Sequence, residues 1–360
     1  MLRNFLRQFD QRRRHYTAGL STWAWRWLGR DRVLCDERLA ANEVKRILVV
    51  RNNKRIGNMY FLLPFLHQLR QAYPDAQIDL MVINASQARI FEHMPLGKVW
   101  VSNFSFATVY PFFQCLRQCR AQPYDLLFMP HPSSTDILIG GLLHARNKVS
   151  FASDRVNAVY RHAIEAPHAS PHAAKTPLAL IDSDLTHEHS VNHLMAFTEQ
   201  ERTAAQHAVM SLKGDAKLCF AYFRGARGKK IISDNDWLAI RQRFEQASTV
   251  PIAWIEILSP DITTPLTPET PTWQSKDLRQ LGAFLAACDL FICGDTGPLH
   301  LADAAGARCL GLFTATSPVH YGCMGKDCVN VTDLTSLPYE RVLADINQSS
   351  QASLRPVSTP

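Results

Sequence analysis

From Arg46 onward the chain alternates short, continuous apolar runs with longer stretches of helical spacing. Ile47 to Val50 is four apolar residues in a row, the mark of a strand buried on both faces. After a loop containing Gly57, apolar positions recur at helical intervals from about Met59 to Ala72. A turn at Pro74 and Asp75 leads into a second run over Ile78 to Ile83. Further runs at Asp125 to Pro130 and Lys148 to Phe151 flank a helical stretch near Thr135 to His144. Between Ala163 and Ser183 the alternation stops, and Pro167, Pro171 and Pro177 mark a connection between domains. The spacing then predicts a helix from about His187 to Leu212, after which the alternation restarts. Strands are expected over Leu218 to Phe223, Ile252 to Ile257, Leu290 to Cys293 and Cys309 to Phe313. Helices are expected over Asp234 to Gln246, Leu278 to Ala287 and Pro298 to Ala305. Strand, helix, strand in repetition implies a parallel sheet with helices on its faces. Two such runs predict an α/β protein of two facing Rossmann-like domains.

The segment before Arg46 reads differently. Leu2, Phe5, Leu6 and Phe9 fall at helical spacing, and Leu20, Trp23, Ala24, Trp27 and Leu28 form a second stripe, so a helical segment over 1–45 is expected. The remaining boundaries follow from the pattern: a first domain over 46–170, a linker over 171–186, a second domain over 187–345 and a flexible Ser- and Pro-rich tail over 346–360. Charge sharpens this picture. The chain carries a net +7, and eight arginines against two acids between Met1 and Arg32 account for six of those charges. The rest is near neutral, which argues against a surface built for nucleic acid. A basic segment with Trp23, Trp25 and Trp27 suits a membrane interface, with arginines on anionic headgroups. Packing on the protein's own body explains the same stripes equally well.

No apolar run is long enough to span a bilayer, and the start lacks the apolar core of a signal peptide. The nine cysteines are an odd number without a Cys-x-x-Cys pair, as expected in a reducing cytoplasm. Cys219, Cys288, Cys293 and Cys309 lie in apolar runs and read as small buried hydrophobes. Cys115/Cys119 and Cys323/Cys328 each have too few neighbouring ligands for zinc, so no metal is expected.

The most informative stretch runs from Asp289 to Gly306: a strand ending at Gly294, the loop Asp295-Thr296-Gly297, and a helix opening at Pro298. Proline suits a first helical turn because its missing N–H would be unpaired there. Free amides and the positive end of the helix dipole make an anion site, and Gly297 lets a phosphate approach the backbone. A plain Asp/Thr helix cap with no ligand is the competing explanation.

This stretch resembles the Asp-Ser/Thr-Gly-x-x-His-x-Ala-x-Ala-x-Gly signature of glycosyltransferase family 9, the ADP-heptose:lipopolysaccharide heptosyltransferases. Asp295, Thr296, Gly297, His300, Ala302, Ala304 and Gly306 match it. Asp277 to Asp289, Ile47 to Asp79 and Glu188-His189-x-Val191 resemble further parts of the family, so the likeness covers roughly Arg46 to Phe313. It implies an inverting transferase of the two-Rossmann, cleft-forming GT-B type, with the donor held mainly by the second domain. The donor would be ADP-heptose, and the acceptor an anionic lipopolysaccharide core approaching the first domain; no further cofactor is implied. By the same likeness Asp295 contacts the donor sugar, while Thr296, Gly297 and Lys230 hold the diphosphate, whose growing charge needs a fixed cation or amides. His300 supports the loop or touches phosphate; a buried structural histidine is the alternative. Lys230 as a solvated surface residue is likewise the alternative to its phosphate role. Arg51, Lys54 and Arg55 follow the first strand and are candidates to meet acceptor phosphates, unless they form only a solvated basic loop. The location implied is the cytoplasm, peripheral on the inner membrane's cytoplasmic face.

One departure matters. The resemblance places a general base at position 58, usually aspartate, and this chain has Asn58. An amide accepts no proton at useful pH, whereas inverting transfer needs a base opposite the leaving group. Either another carboxylate serves, with Asp136 and Asp154 as candidates, or positioning alone sustains the reaction. Otherwise the protein is a catalytically impaired sugar-nucleotide-binding or scaffold protein. A dehydrogenase is disfavoured because no Gly-x-Gly-x-x-Gly follows Ile47 to Val50.

Overall fold

The computed structural model describes residues 35, 37–103, 108–157, 159–160, 162–164, 170–182 and 191–353. Both runs of alternation form parallel sheets. The first contains β1 (Arg46–Val50), β2 (Gln77–Val82), β3 (Val99–Val101), β4 (Leu126–Met129), β5 (Asn147–Phe151) and β6 (His162–Ile164), in the spatial order β3-β2-β1-β4-β5-β6. The second contains β7 (Leu218–Phe223), β8 (Ile252–Ile257), β9 (Thr272–Trp273), β10 (Leu290–Gly294), β11 (Cys309–Leu312) and β12 (Val329–Val331), in the order β12-β11-β10-β7-β8-β9. Each sheet grows outward in one direction and then jumps back to grow in the other. Ile47 of β1 pairs with Ile78 and Leu126, and Phe291 of β10 pairs with Cys309 and Ala221. The places where growth reverses, β1/β4 and β7/β10, are where open α/β sheets bind ligands, beyond the carboxyl ends of the strands.

Continuous apolar sequence became central strand because both faces are covered: all four residues Ile47 to Val50 are fully buried, as are Phe220, Ala221 and Tyr222. One core cluster runs through both halves, joining Val49, Phe65 and Leu66 to Phe284, Phe291 and Leu299. Separate clusters fill the outer face of each sheet. The four short strands β3, β6, β9 and β12 escape the sequence reading because two or three residues carry too little pattern.

Several expected elements changed. The helix foreseen from Met59 to Ala72 is two, Gly57–Tyr60 and Leu63–Ala72, and Pro64 lies in the first turn of the second, where its missing N–H costs nothing. The helix foreseen from His187 starts only at Glu199 and ends at Lys213; residues 191–198 are irregular. Thr198 sets that start, because its hydroxyl accepts from the Glu201 amide at 3.2 Å while the Glu201 carboxylate accepts from the Thr198 amide at 2.8 Å. At the far end, the helix Tyr339–Ser353 runs into the expected tail over 346–360, with Val342, Leu343 and Ile346 buried on the second sheet's outer cluster, and residues 354–360 lie outside the described residues. In the expected linker, Thr176–Leu180 is a 3-10 turn with Leu178 and Leu180 fully buried. The two stripes before residue 30 lie outside the described residues. Near them, residues 37–45 contain only a 3-10 turn at Ala41–Glu43, and the chain is tied to the first sheet where the Leu39 amide donates to Asn147 Oδ1 at 2.7 Å.

The halves are also bolted by one cation. Arg279 is 1% exposed; it donates to both Glu201 oxygens at 2.7 Å and to the carbonyl of Ala196 at 2.6 Å. Its remaining nitrogen reaches the first half at the carbonyls of Arg89 and Glu92, 3.4 and 3.3 Å away. Hydrogen bonding to Arg279 holds the Glu201 carboxyl down at about 2. A depressed carboxyl stabilises the fold above its ordinary value of 4.5, and that contribution is lost as pH falls through about 2. Arg279→Ala is therefore expected to cost about 2 kcal/mol near pH 7 by urea unfolding, since it removes a buried guanidinium with its charge-assisted hydrogen bonds to Glu201 and to backbone carbonyls. A loss under about 1 kcal/mol, the scale of an exposed pair, would refute the bolt.

Candidate functional site: a cleft at the two switch points

The second switch point builds one wall. β10 ends at Gly294, and the helix Gly297–Ala304 begins three residues later, one residue before the expected start, so Pro298 occupies its second position. Thr296 is the N-cap residue but makes no side-chain cap; its hydroxyl turns back to the Cys293 sulfur at 3.3 Å. The simple helix-cap explanation of this loop therefore fails, and the helix start faces the cleft uncapped by Thr296. A Cβ on Gly297 would stand 3.0 Å from Ile56 Cγ2, so glycine lets the first half's loop close against this helix start.

Asp295 is the centre of the wall. It is 6% exposed, and its carboxylate receives Lys230 Nζ at 2.5 Å, Thr316 Oγ1 at 2.6 Å and His300 Nε2 at 3.1 Å. Lys230 also donates to the Asp295 carbonyl at 3.0 Å. Burial would raise this carboxyl, but the hydrogen bonds from His300, Lys230 and Thr316 together hold it far below the usual carboxylate range. Lys230 is thus not a solvated surface residue. It comes from the turn after β7, so the two strands flanking the switch point each contribute one member of the pair. His300 is buried, its ring packs 4.6 Å from Phe61, and its Nδ1 has no partner among the described residues.

The first switch point builds the facing wall. Lys54, Arg55, Gly57, Asn58 and Phe61 line the same cavity of about 1170 Å³ as Lys230, Asp295, Thr296, Gly297 and His300. The helix Gly57–Tyr60 packs on the helix Gly297–Ala304, and a Cβ at Gly57 would sit 3.3 Å from His300 Cδ2. Asn58 therefore occupies the rim opposite Asp295, half-buried.

Three candidates fall elsewhere. Arg51 is 5% exposed, donates to the His131 carbonyl at 2.8 Å and lies 3.8 Å from Asp136; it braces the β1 and β4 loops and does not line the cavity. Asp136 is fully buried. Its oxygens accept from the Asn52 amide at 2.6 Å, the Ser133 hydroxyl at 2.7 Å and the Ser133 amide at 3.1 Å. Burial pushes this carboxyl up, but every oxygen is occupied and the residue does not reach the cleft, so it is a helix-capping and loop-bracing group. Asp154 is exposed on a short helix, Asp154–Asn157, away from the cavity lining.

Sequence reasoning missed Arg224, Glu256 and Tyr321. Glu256 is fully buried in β8, where it accepts from Arg224 at 2.6 Å, Tyr222 at 2.9 Å and the Leu266 amide at 2.6 Å. Arg224 continues to Asp234 at 2.8 Å and lines the cavity. A lone glutamate inside the apolar run Ile252–Ile257 was the available signal, because an unpaired buried carboxylate is too costly to keep. Tyr321 lines the cavity from the second half and stacks on Phe61 at 6.2 Å.

Two parallel α/β sheets with a cleft between their switch points make up the GT-B fold. The sequence model of glycosyltransferase family 9 (heptosyltransferase) matches residues 270–342, which include the Asp295 loop. Lipopolysaccharide heptosyltransferase 3 of Escherichia coli is 22% identical over 285 residues, covering 74% of this chain and 82% of the relative. A glycosyltransferase family 9 structure from Veillonella parvula superposes with a TM-score of 0.70 at 18% identity, over 85% of this chain and 89% of that one. The E. coli heptosyltransferase WaaC with ADP gives 0.65 at 19% identity, over 84% and 99%. The chain is similar to glycosyltransferase family 9 in sequence around the Asp295 loop and in fold over most of its length.

The carboxylate knot has a measurable signature. Asp295→Asn is expected to cost about 2 kcal/mol near pH 7 by urea unfolding, the scale of lost charged hydrogen bonds. Because the folded carboxyl is held far down, its contribution is complete above its ordinary value of 3.8 and fades only as pH falls below that. The gap between wild type and variant should shrink in that acid range. A pH-independent gap would mean that the carboxylate charge is not what ties the loop.

Proposed function

We propose that this protein transfers a heptose, or a closely related sugar, from ADP-heptose to an anionic lipopolysaccharide core with inversion. One observation carries the reading: Lys230 and the uncapped start of the Gly297–Ala304 helix face one side of a cleft whose other side carries Lys54, Arg55 and Asn58. The diphosphate docks on the Gly297 amide end, where the helix dipole favours negative charge. Lys230 leaves or shares Asp295 to meet the leaving phosphate, and Asp295 turns to the donor sugar. The unpartnered Nδ1 of His300 offers a further contact in this wall. Arg224 and Arg227 add positive charge to the donor side, and Lys54 and Arg55 receive acceptor phosphates. The relatives' names, a heptosyltransferase acting in lipopolysaccharide assembly and another solved with ADP, support the choice of donor and acceptor.

No helix among the described residues is long and apolar enough to cross a membrane, which is compatible with an enzyme working from the cytoplasmic side on a membrane-borne acceptor. The basic, Trp-containing residues 1–32 are the proposed membrane contact.

A second reading rests on Asn58. Among the described residues, the carboxylates lining the cavity are Asp234, Asp261 and Asp295, all from the second half. Asp295 is too acidic to take a proton near pH 7, and among the described residues no carboxylate of the first half lines the cavity in place of the missing base. The chain is then a donor-binding relative whose turnover depends on positioning alone, or one that binds without transfer.

Thermal unfolding with nucleotides tests the donor: ADP should raise Tm, whereas UDP and GDP should not, because only a ligand of the native state stabilises it. Lys230→Ala should weaken ADP about 10-fold, as removal of one charge-assisted contact does. An ADP affinity unchanged by that substitution removes lysine from the donor site. For catalysis, Asn58→Asp should raise kcat by about 100-fold, the usual gain from a placed general base, with donor KM unchanged. Wild-type transfer that Asn58→Asp leaves unaltered would mean that the base lies elsewhere.

A further inference from the structure

Behind the donor loop the fold assembles a sulfur cluster. Cys309 opens β11, while Cys323 and Cys328 lie in the loop before β12; the three sulfurs are within 4.8 Å of one another. The sequence reading counted Cys323 and Cys328 alone and found too few ligands for a metal. The parallel strand crossover corrects that count by bringing Cys309, nineteen positions before Cys328, beneath them. An acid and a histidine complete the surroundings. Asp303, 5% exposed on the Gly297–Ala304 helix, places Oδ1 at 3.6 Å from the Cys328 sulfur. His193 Nε2 lies 3.3 Å from that same oxygen.

We propose that Cys309, Cys323 and Cys328 bind one zinc ion, with the Asp303 carboxylate closing the fourth position and His193 supporting that carboxylate from behind. Three thiolates and a carboxylate form a donor set suited to tetrahedral zinc, which prefers sulfur, nitrogen and carboxylate oxygen without a redox role. The histidine beside the carboxylate is the kind of outer contact that orients a ligand. The surrounding backbone is shaped to the cluster: the amides of Met324 and Gly325 both donate to Asp303 at 2.9 Å. A Cβ on Gly325 would stand 2.8 Å from Cys328 Sγ and 3.1 Å from Asp303 Oδ1, so only glycine leaves the cluster room. Binding would release the thiol protons to solvent. Cys323, Cys328 and His193 also line a cavity of about 730 Å³, which provides an entry path.

The ion would fasten the loop between β11 and β12 to the helix that begins at the donor site. That loop carries Thr316, bonded to Asp295, and Tyr321, stacked on Phe61. The site is therefore structural, set behind the cleft, and its existence does not depend on which sugar or acceptor the cleft takes.

The test uses the full chain, reduced and stripped of metal, titrated with zinc alone and then with cobalt. The expected result is one zinc per chain, a thiolate-to-cobalt charge-transfer band, and a higher Tm with zinc. Cys309→Ser, Cys323→Ser and Cys328→Ser should each abolish tight binding and remove about one third of that band, one thiolate in three. Asp303→Asn should weaken zinc about 10-fold or more, and the control Cys115→Ser should change nothing. The idea fails if the wild-type chain takes up no zinc or shows no charge-transfer band. It also fails if thiol titration of the denatured, unreduced protein finds fewer than its nine free thiols because two of the three form a disulfide. Should a serine variant not fold, the wild-type cobalt spectrum still decides.

Discussion

Everything at the cleft hangs on the carboxylate of Asp295. It stands where the chain leaves β10, and it is reached by Lys230 from the turn after β7, by Thr316 from beyond β11 and by His300 from the helix that follows it. Three stretches of chain, around Lys230, Asp295 to His300 and Thr316, are thereby held at one point. A single buried carboxylate does this because it accepts several hydrogen bonds at once, and because leaving it unpaired in a dry environment would be far costlier than pairing it.

The facing wall is held in register differently, by packing. One apolar core passes through both halves, and Arg279 adds directed contacts from the second half to carbonyls of the first. Glycine at positions 57 and 297 then allows the two walls to approach, since a side chain at either would meet Ile56 or His300. Close approach matters chemically: transfer requires donor and acceptor within reach of one another and away from bulk water. The cleft keeps basic groups on both walls, Lys54 and Arg55 on one and Arg224, Arg227 and Lys230 on the other.

Much of this was legible in the residues. The unbroken apolar runs announced central parallel strands, because nothing but a sheet covered on both faces tolerates them. The Asp295-to-Gly306 spacing announced the loop and helix of the second switch point. Asn58 lines the cavity on the wall facing Asp295. Asp136 misled because a polar residue after a central strand looks like a rim residue. Its real task, capping the helix Ser134–Leu142 and bracing the loop after β1, is visible only once Ser133, Asn52 and Arg51 are seen around it.

The chain's own order of residues determined the α/β class, the two sheets and the loop and helix that follow β10, since these follow from periodicity and from turn chemistry that act over a few residues. Tertiary structure alone decided the pairings across long separations: Lys230 with Asp295, Arg224 with Glu256, and Cys309 with Cys323 and Cys328. Those pairings depend on which strand lies beside which, and strand order is set by how whole helices pack on a sheet. No local pattern encodes that, so residues nineteen or sixty-five positions apart become neighbours only when the fold is complete.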